Sequence, residues 1–355
     1  MSDEVTGRTR YAALTPKQAA GVVGLAIACA AWLLFAVHAR ASSTLGVASA
    51  VPGRSDAAFY GEVVAHVRAG EGYYDVVGPA LRRWGYAVRP VFNWRQPTYA
   101  WLLAALPSPL VGNALLALVG LAVVWSARRW VLGSELSPRA TLATALLVVT
   151  MSGCFVRELV FMQESWAGAL IALSVCLFAL DRWRAAVCAG LAALAFRELA
   201  LLPVGVAVLF AVRRRRWPEV TAWVAGLGVY ALLMSWHLAA VLRHTRPDDL
   251  ARGWLALGGG AFLVATCKWN PLFIALPDWA VALAIPFVLL GLAGWRGEAG
   301  SRVALVVYGF MAAFSVVGNP CNDYWGLIDA PLLTFGIIAA PDSVRELARA
   351  LRPRR

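Results

Sequence analysis

From Ala19 to Val37 the chain runs for 19 residues without one charged side chain. About 20 apolar residues in helical form cross the hydrocarbon core of a bilayer. Inside that core every backbone N–H and C=O must find its partner within the segment, so such a run is forced towards helix. Further apolar runs follow at 110–125, 140–154, 166–180, 185–196, 199–212, 219–242, 278–295, 302–318 and 327–340. Hydrophobic residues make up 60% of the 355 and charged residues 15%, where soluble domains carry about a quarter charged. Too little polar surface remains to cover a globule. A soluble enzyme, a disordered chain and a small disulfide scaffold are excluded. The fold class expected is an all-α polytopic membrane protein of about ten transmembrane helices, with amphipathic juxtamembrane helices in its first outer loop.

The charge pattern orients those helices. Lys plus Arg number 32 against 20 Asp plus Glu, an excess that in a soluble chain would suggest nucleic acid. Here the basic residues cluster in short connections: Arg128-Arg129, Arg182 with Arg184, Arg213 to Arg216, and the tail Arg345, Arg349, Arg352, Arg354 and Arg355. That is the positive-inside pattern, and no nucleic-acid partner is expected. With ten spans and both termini cytoplasmic, 19 of the 32 basic and 8 of the 20 acidic residues fall inside. Thirty arginines beside two lysines, in an Ala-rich chain, suit a GC-rich bacterial genome, so the bacterial cytoplasmic membrane is the location expected. Ala39-Arg40-Ala41 has the form of a signal-peptide cleavage site, but the run before it is long for a signal core and more spans follow, which favours a retained anchor.

Three parts follow: a cytoplasmic tail (1–18), a transmembrane domain (19–340) whose first outer loop spans 40–96, and a basic cytoplasmic tail (341–355). Pro97 to Leu106 is too short to span and is cut off by Pro107-Ser108-Pro109; it is expected to lie against the membrane or re-enter it. The apolar piece Trp254 to Thr266 is expected in the interface. No internal repeat is visible, which weighs against transporters built from inverted repeats.

Ionisable residues outside the inner loops gather at the outer ends of the spans: Asp56, Glu62, Glu71, Asp75, Arg95, Arg157, Glu158, Glu164, Arg197, Glu198, Lys268, Asp323 and Asp329. Snorkelling explains any one arginine. Mixed signs within apolar helices, as at Arg197-Glu198, point to a polar cavity facing outward. Ser55 is a good N-cap, which puts Asp56 in the first turn of a helix reaching Arg68 and ended by Gly70. Phe59, Val63 and Val67 line one face of it, suiting a helix on the membrane surface. Taken alone, Asp56 in that position need only complement the helix dipole.

Ser55-Asp56…Tyr60, followed by Gly70-Glu71-Gly72-Tyr73-Tyr74, resembles the first outer loop of the GT-C superfamily of integral-membrane glycosyltransferases, which includes protein mannosyltransferases, lipid A aminoarabinose transferases and mycobacterial lipid mannosyltransferases. Arg95-Gln96-Pro97-Thr98-Tyr99 is similar to the basic element with prolines that follows that loop. Phe161-Met162-Gln163-Glu164-Ser165, Ala195-Phe196-Arg197-Glu198 and Asp323-Tyr324-Trp325…Pro331-Leu332-Leu333 resemble later elements of the family, in order. The chain departs from the pattern in carrying one acid where some relatives have Asp-Glu, in Gln96 replacing a proline, and in stopping after the last span where many relatives add a soluble domain.

The resemblance implies a GT-C-like fold and inverting transfer of a sugar from a polyprenyl-phosphate donor to a lipid, glycan or protein acceptor, with membrane lipids around the site and no required cofactor. Asp56 would be the general base towards the acceptor hydroxyl. Arg95, Arg197 and Lys268, with Arg157 behind them, would stabilise the charge growing on the leaving phosphate. Glu164, Glu198 and Asp323 would bind sugar or acceptor, and Tyr60, Trp94, Trp269 and Trp325 would stack on a sugar face. The histidines, His38, His66, His237 and His244, show no ligand spacing; a divalent ion bridged by Asp56 and a phosphate is the alternative. Cys267 and Cys321 both fall outside, where a disulfide is conceivable. Two further classes stand beside the glycosyltransferase: a transporter or flippase for a lipid-linked glycan, which predicts ionisable residues at mid-membrane, and a membrane acyltransferase, which calls for a histidine in a polar run.

Overall fold

Each of the ten apolar runs is helical in the computed structural model, which describes residues 9–43, 55–133, 137–253 and 256–352. Of these described residues 81% are helical, and among them there is no strand. The fourteen α-helices are α1 (Pro16–Ser43), α2 (Asp56–Arg68), α3 (Tyr73–Trp84), α4 (Thr98–Ala105), α5 (Pro109–Leu132), α6 (Pro138–Met151), α7 (Gln163–Ala179), α8 (Trp183–Phe196), α9 (Leu201–Arg213), α10 (Trp217–His244), α11 (Gly259–Cys267), α12 (Asp278–Gly294), α13 (Gly297–Val316) and α14 (Ala330–Ala350).

Among the described residues five helices are long and apolar enough to cross a membrane: Pro16–Arg40, Pro109–Leu132, Pro138–Phe155, Trp217–His244 and Gly297–Val316. A sixth crossing is available if the 3-10 segment Pro320–Ile328 and α14, bent by 66° to each other, count as one broken span. That is the extent of spanning the structure supports, against ten expected. Helices α7, α8 and α12 are apolar but shorter, at 10–17 residues each, and α9 is 13 residues. At 1.5 Å per residue such helices fall short of a 30 Å core. Three of them instead carry buried interior faces: Trp166 of α7 stacks on Phe196 of α8, ring centroids 5.1 Å apart, and Gly291 of α12 meets α14 so closely that a Cβ there would lie 2.0 Å from Gly336 O.

The two ends of the bundle are chemically distinct. At one end Thr9 donates from its N–H and Oγ1 to Glu346 Oε2 at 2.6 and 2.7 Å, Arg139 pairs with Asp342, and Arg214 and Arg216 reach Glu298 at 3.1 Å. The two ends of the described chain therefore lie beside each other. Arg354, Arg355, Arg8 and Trp254 lie outside the described residues.

Two local expectations are corrected. The apolar face of α2 does not rest on lipid: Phe59 and Val63 are buried against protein, Phe59 packing edge-on to Trp84 and Tyr86. The piece expected in the interface becomes α11, with Phe262, Leu263, Val264 and Cys267 all buried; a helix apolar all round belongs inside. Helix α14 continues past the end of its apolar run, through Pro341 to Ala350.

Candidate functional site

At the end of the bundle opposite Glu346, α2, α3 and the segments after them close over a cavity of about 170 Å³. Its polar lining comprises Asp56, Tyr60, Tyr86, Asn93, Arg95, Arg252, Asn319, Asn322 and Tyr324. Ser55 caps α2 as expected, its hydroxyl accepting from the Ala58 N–H at 3.2 Å. That sets Asp56 at the helix start, where unpaired N–H groups favour a carboxylate.

Asp56 has a partner that sequence reasoning missed. The Tyr86 hydroxyl donates to Asp56 Oδ1 at 2.7 Å. Helix α3 stops at Gly85, held in the left-handed region at φ +73, and the Tyr86 N–H returns to Leu81 O at 2.9 Å. This glycine stop turns the next residue back over the helix, and Trp84-Gly85-Tyr86 is the local signal that could have revealed it. Burial, together with the Asp56 charge, pushes the Tyr86 phenol well above its ordinary value, so it remains a donor throughout the neutral range.

Arg95 lies deeper, 7% exposed. Its guanidinium donates to Tyr60 OH at 2.9 Å, to Tyr324 OH at 2.8 Å and to Phe92 O at 3.0 Å. The Tyr73 hydroxyl in turn donates to Arg95 O. The fork of Arg95 thus ties α2 to the Pro320–Ile328 segment. That segment sits close because of Gly326: a Cβ there would lie 1.9 Å from Thr266 O of α11.

Beneath this layer Arg197, 0% exposed, donates from Nε to Glu164 Oε1 at 2.6 Å, pairs with Glu198, and faces the Trp325 ring at 5.8 Å. Gln163 Oε1, Glu164 Oε2, Ser165 Oγ and Arg197 Nη2 are buried without a hydrogen-bond partner among the described residues. Buried polar atoms are nearly always satisfied, so this interior holds hydrogen-bonding capacity beyond what the chain itself fills.

Other expected site residues lie elsewhere. Lys268 is paired with Asp278 at 2.7 Å in a separate open groove of about 940 Å³, which it shares with Arg40, Trp269, Trp279 and Asp323. The Pro320–Ile328 segment divides the two spaces: Cys321, Asn322 and Tyr324 line the cavity, while Asp323 lines the groove together with Trp269. Arg157 and Glu158 are exposed and line neither space. Trp94 is buried, its indole donating to Val88 O at 2.9 Å, which removes it from any sugar-stacking role. Cys267 and Cys321 are both free thiols, the first buried and the second exposed. Among the described residues no group of three or more His, Cys, Asp or Glu could hold a metal ion.

Arg252 reaches the cavity from far along the chain. The 246–253 loop is strapped to the segment after α3: Val88 N–H and Arg89 N–H donate to Leu250 O at 2.9 and 3.1 Å, and Arg252 N–H donates to Arg89 O at 3.0 Å. Arg82 clamps the same loop through Asp249, Nε to Oδ1 at 2.6 Å and Nη2 to Oδ2 at 2.8 Å.

No protein-family model, curated protein or solved structure matches the chain.

Proposed function

We propose that the chain is an integral-membrane glycosyltransferase of GT-C type, transferring a sugar with inversion from a polyprenyl-phosphate donor to an acceptor hydroxyl on the outer face of a bacterial cytoplasmic membrane. The observation that carries this reading is the meeting of a carboxylate, Asp56, with two guanidinium groups, Arg95 and Arg252, around one small cavity. At about 170 Å³ it is smaller than the roughly 300–1,000 Å³ pockets that enclose drug-sized ligands, a size suited to one sugar ring.

Asp56 takes the acceptor proton as its oxygen attacks the anomeric carbon. Tyr86 holds Oδ1, leaving Oδ2 for the acceptor. The bond to the donor phosphate breaks on the opposite face, and its electron pair leaves on the phosphate oxygen. Arg95 and Arg252 meet that growing charge, which strengthens their interaction in the transition state. Phosphate leaves without protonation, so no general acid is needed. Tyr60 and Tyr324 orient Arg95. Glu164, Arg197 and Glu198 support the cavity from below, and the unfilled hydrogen-bonding atoms of Glu164 and Arg197 suit ordered water. The groove holding Lys268, Trp269 and Asp323 adjoins the cavity across the Pro320–Ile328 segment and supplies a route for donor or acceptor.

The test is transfer from a panel of radiolabelled polyprenyl-phosphate sugars by purified protein in nanodiscs, wild type against Asp56→Asn. Loss of about 10² to 10⁴ in rate is expected on removing a general base. Unchanged transfer in the variant would refute the mechanism. Donor retained without transfer, together with lipid scrambling in vesicles, would favour the flippase.

A further inference from the structure

A third concave site lies at the opposite, arginine-rich end. Its volume is about 890 Å³, and its walls are the end of α7 (Phe178, Asp181), the end of α9 (Leu209, Phe210, Arg213) and the start of α13 (Glu298, Ser301, Leu305). Both long walls change character in the same direction. On α9, Leu209 stands one helical turn before Arg213; on α13, Leu305 stands one turn beyond Ser301. One turn is about 5.4 Å, so each wall has an apolar level and, one turn nearer the arginine-rich end, a polar one. Leu209 is 58% exposed and Leu305 44%, so the apolar level is open to the surroundings.

The polar level holds more positive charge than it neutralises. Glu298 is met by Arg214, Arg216 and Arg302 at 3.0 to 3.1 Å, and buried Glu219 adds contacts to Arg302 at 3.6 Å and Arg216 at 3.7 Å. Three arginines thus share two carboxylates. Arg10 reaches the rim by donating to Ser301 Oγ and Gly297 O, both neutral. Among the described residues neither Arg10 nor Arg213 has an ion pair, and Asp181 is the one other carboxylate in the lining.

We propose that this site binds an anionic phospholipid, its phosphodiester held by Arg213 and Arg10 and an acyl chain lying along Leu209, Phe210 and Leu305. Basic pockets between membrane helices select anionic headgroups, and arginine is the residue suited to phosphate. Free phosphate would satisfy the cations but leave the apolar level bare; a zwitterionic lipid would cover that level but bring no net charge. Only an anionic amphiphile fits both levels.

Native mass spectrometry of the full chain, released from nanodiscs containing equal phosphatidylglycerol and phosphatidylcholine, tests this. Wild type should retain phosphatidylglycerol at least fivefold over phosphatidylcholine, and Arg10→Gln with Arg213→Gln should lose that preference while keeping its elution volume and far-ultraviolet spectrum. Equal retention of the two lipids by wild type, or undiminished preference in the variant, would overturn the proposal. Thermal shift of wild type in neutral detergent is the second arm: phosphatidylglycerol should raise Tm and inorganic phosphate should not. An equal rise with inorganic phosphate would mark a free-phosphate site and overturn the lipid assignment. If the double variant is not recovered folded, Leu305→Gln, which alters only the apolar level, should reduce phosphatidylglycerol retention; unchanged retention there counts against the proposal.

Discussion

The Tyr86 hydroxyl and Asp56 Oδ1 are 2.7 Å apart, joining the residue just past the stop of α3 to the start of α2. A hydrogen bond to a charged group contributes about 1.5–3 kcal/mol. Here it also fixes which carboxylate oxygen faces the cavity. Tyr86→Phe keeps the ring that packs on Phe59 at 5.1 Å and removes only the hydroxyl. On the proposed mechanism, kcat for sugar transfer should fall roughly 10- to 100-fold, with Tm lowered by about a few degrees through loss of the hydrogen bond. Full activity in Tyr86→Phe would remove Tyr86 from the mechanism.

The buried Arg197–Glu164 pair, 2.6 Å apart with both side chains 0% exposed, behaves differently from a surface contact. Deleting one partner of a buried pair costs about 3–5 kcal/mol, because a charge is left uncompensated in a low-dielectric interior. Glu198 still faces Arg197, so Glu164→Gln should sit at the lower end of that range. A Tm several degrees below wild type is expected by thermal shift in detergent. A Tm equal to wild type would show that Glu198 alone compensates Arg197.

The Arg82–Asp249 clamp gives a pH signature. Its hydrogen bonds hold the Asp249 carboxyl below the ordinary 3.8. A carboxyl depressed in the folded state contributes its stability in full above the unfolded value and loses it as pH falls through the folded one. Asp249→Asn should therefore melt below wild type from pH 7 down to about pH 5. The gap should narrow below about pH 4 and close at more acid pH. A gap that is independent of pH throughout would show that the clamp acts by packing and not by charge.

The parts legible in the sequence are those set by local pattern. Apolar runs gave helices, and Ser55 and Gly70 bounded α2, because caps, glycine stops and hydrophobic period act within a few residues. Where Arg197 beside Glu198 points to an outward-facing cavity, Arg197 is in fact 0% exposed and paired with Glu164. Span length was less legible: α8 is as apolar as a crossing helix, yet it ends after 14 residues at Phe196 and is held by packing on α7. Long-range pairing was not legible at all. Arg252 reaches the cavity through backbone bonds between residues 89 and 250–252, about which side-chain pattern says nothing. Lys268 shows the same limit: expected beside Arg95 and Arg197, it is paired with Asp278, ten residues on, and lines the neighbouring groove.

Gly326 tests whether the Pro320–Ile328 segment holds the site together. A Cβ at this position would stand 1.9 Å from Thr266 O and 2.6 Å from Thr266 C, and backbone cannot yield as a flexible side chain would. Gly326→Ala must therefore push the segment off α11. The displacement would carry Tyr324 away from Arg95 and Trp325 away from Arg197, so one added methyl should disturb both layers of the site. Overpacking of this kind costs about 1–3 kcal/mol, and transfer should fall further than that loss of stability accounts for. Gly228→Ala is the matched control: it lies within α10 and its Cβ would meet nothing within 4 Å, so Ala should leave Tm unchanged or raise it slightly. Thermal shift and initial transfer rate measured on both variants separate the two positions. If Gly326→Ala matches Gly228→Ala in both, the segment is free to move and does not set the geometry of Arg95.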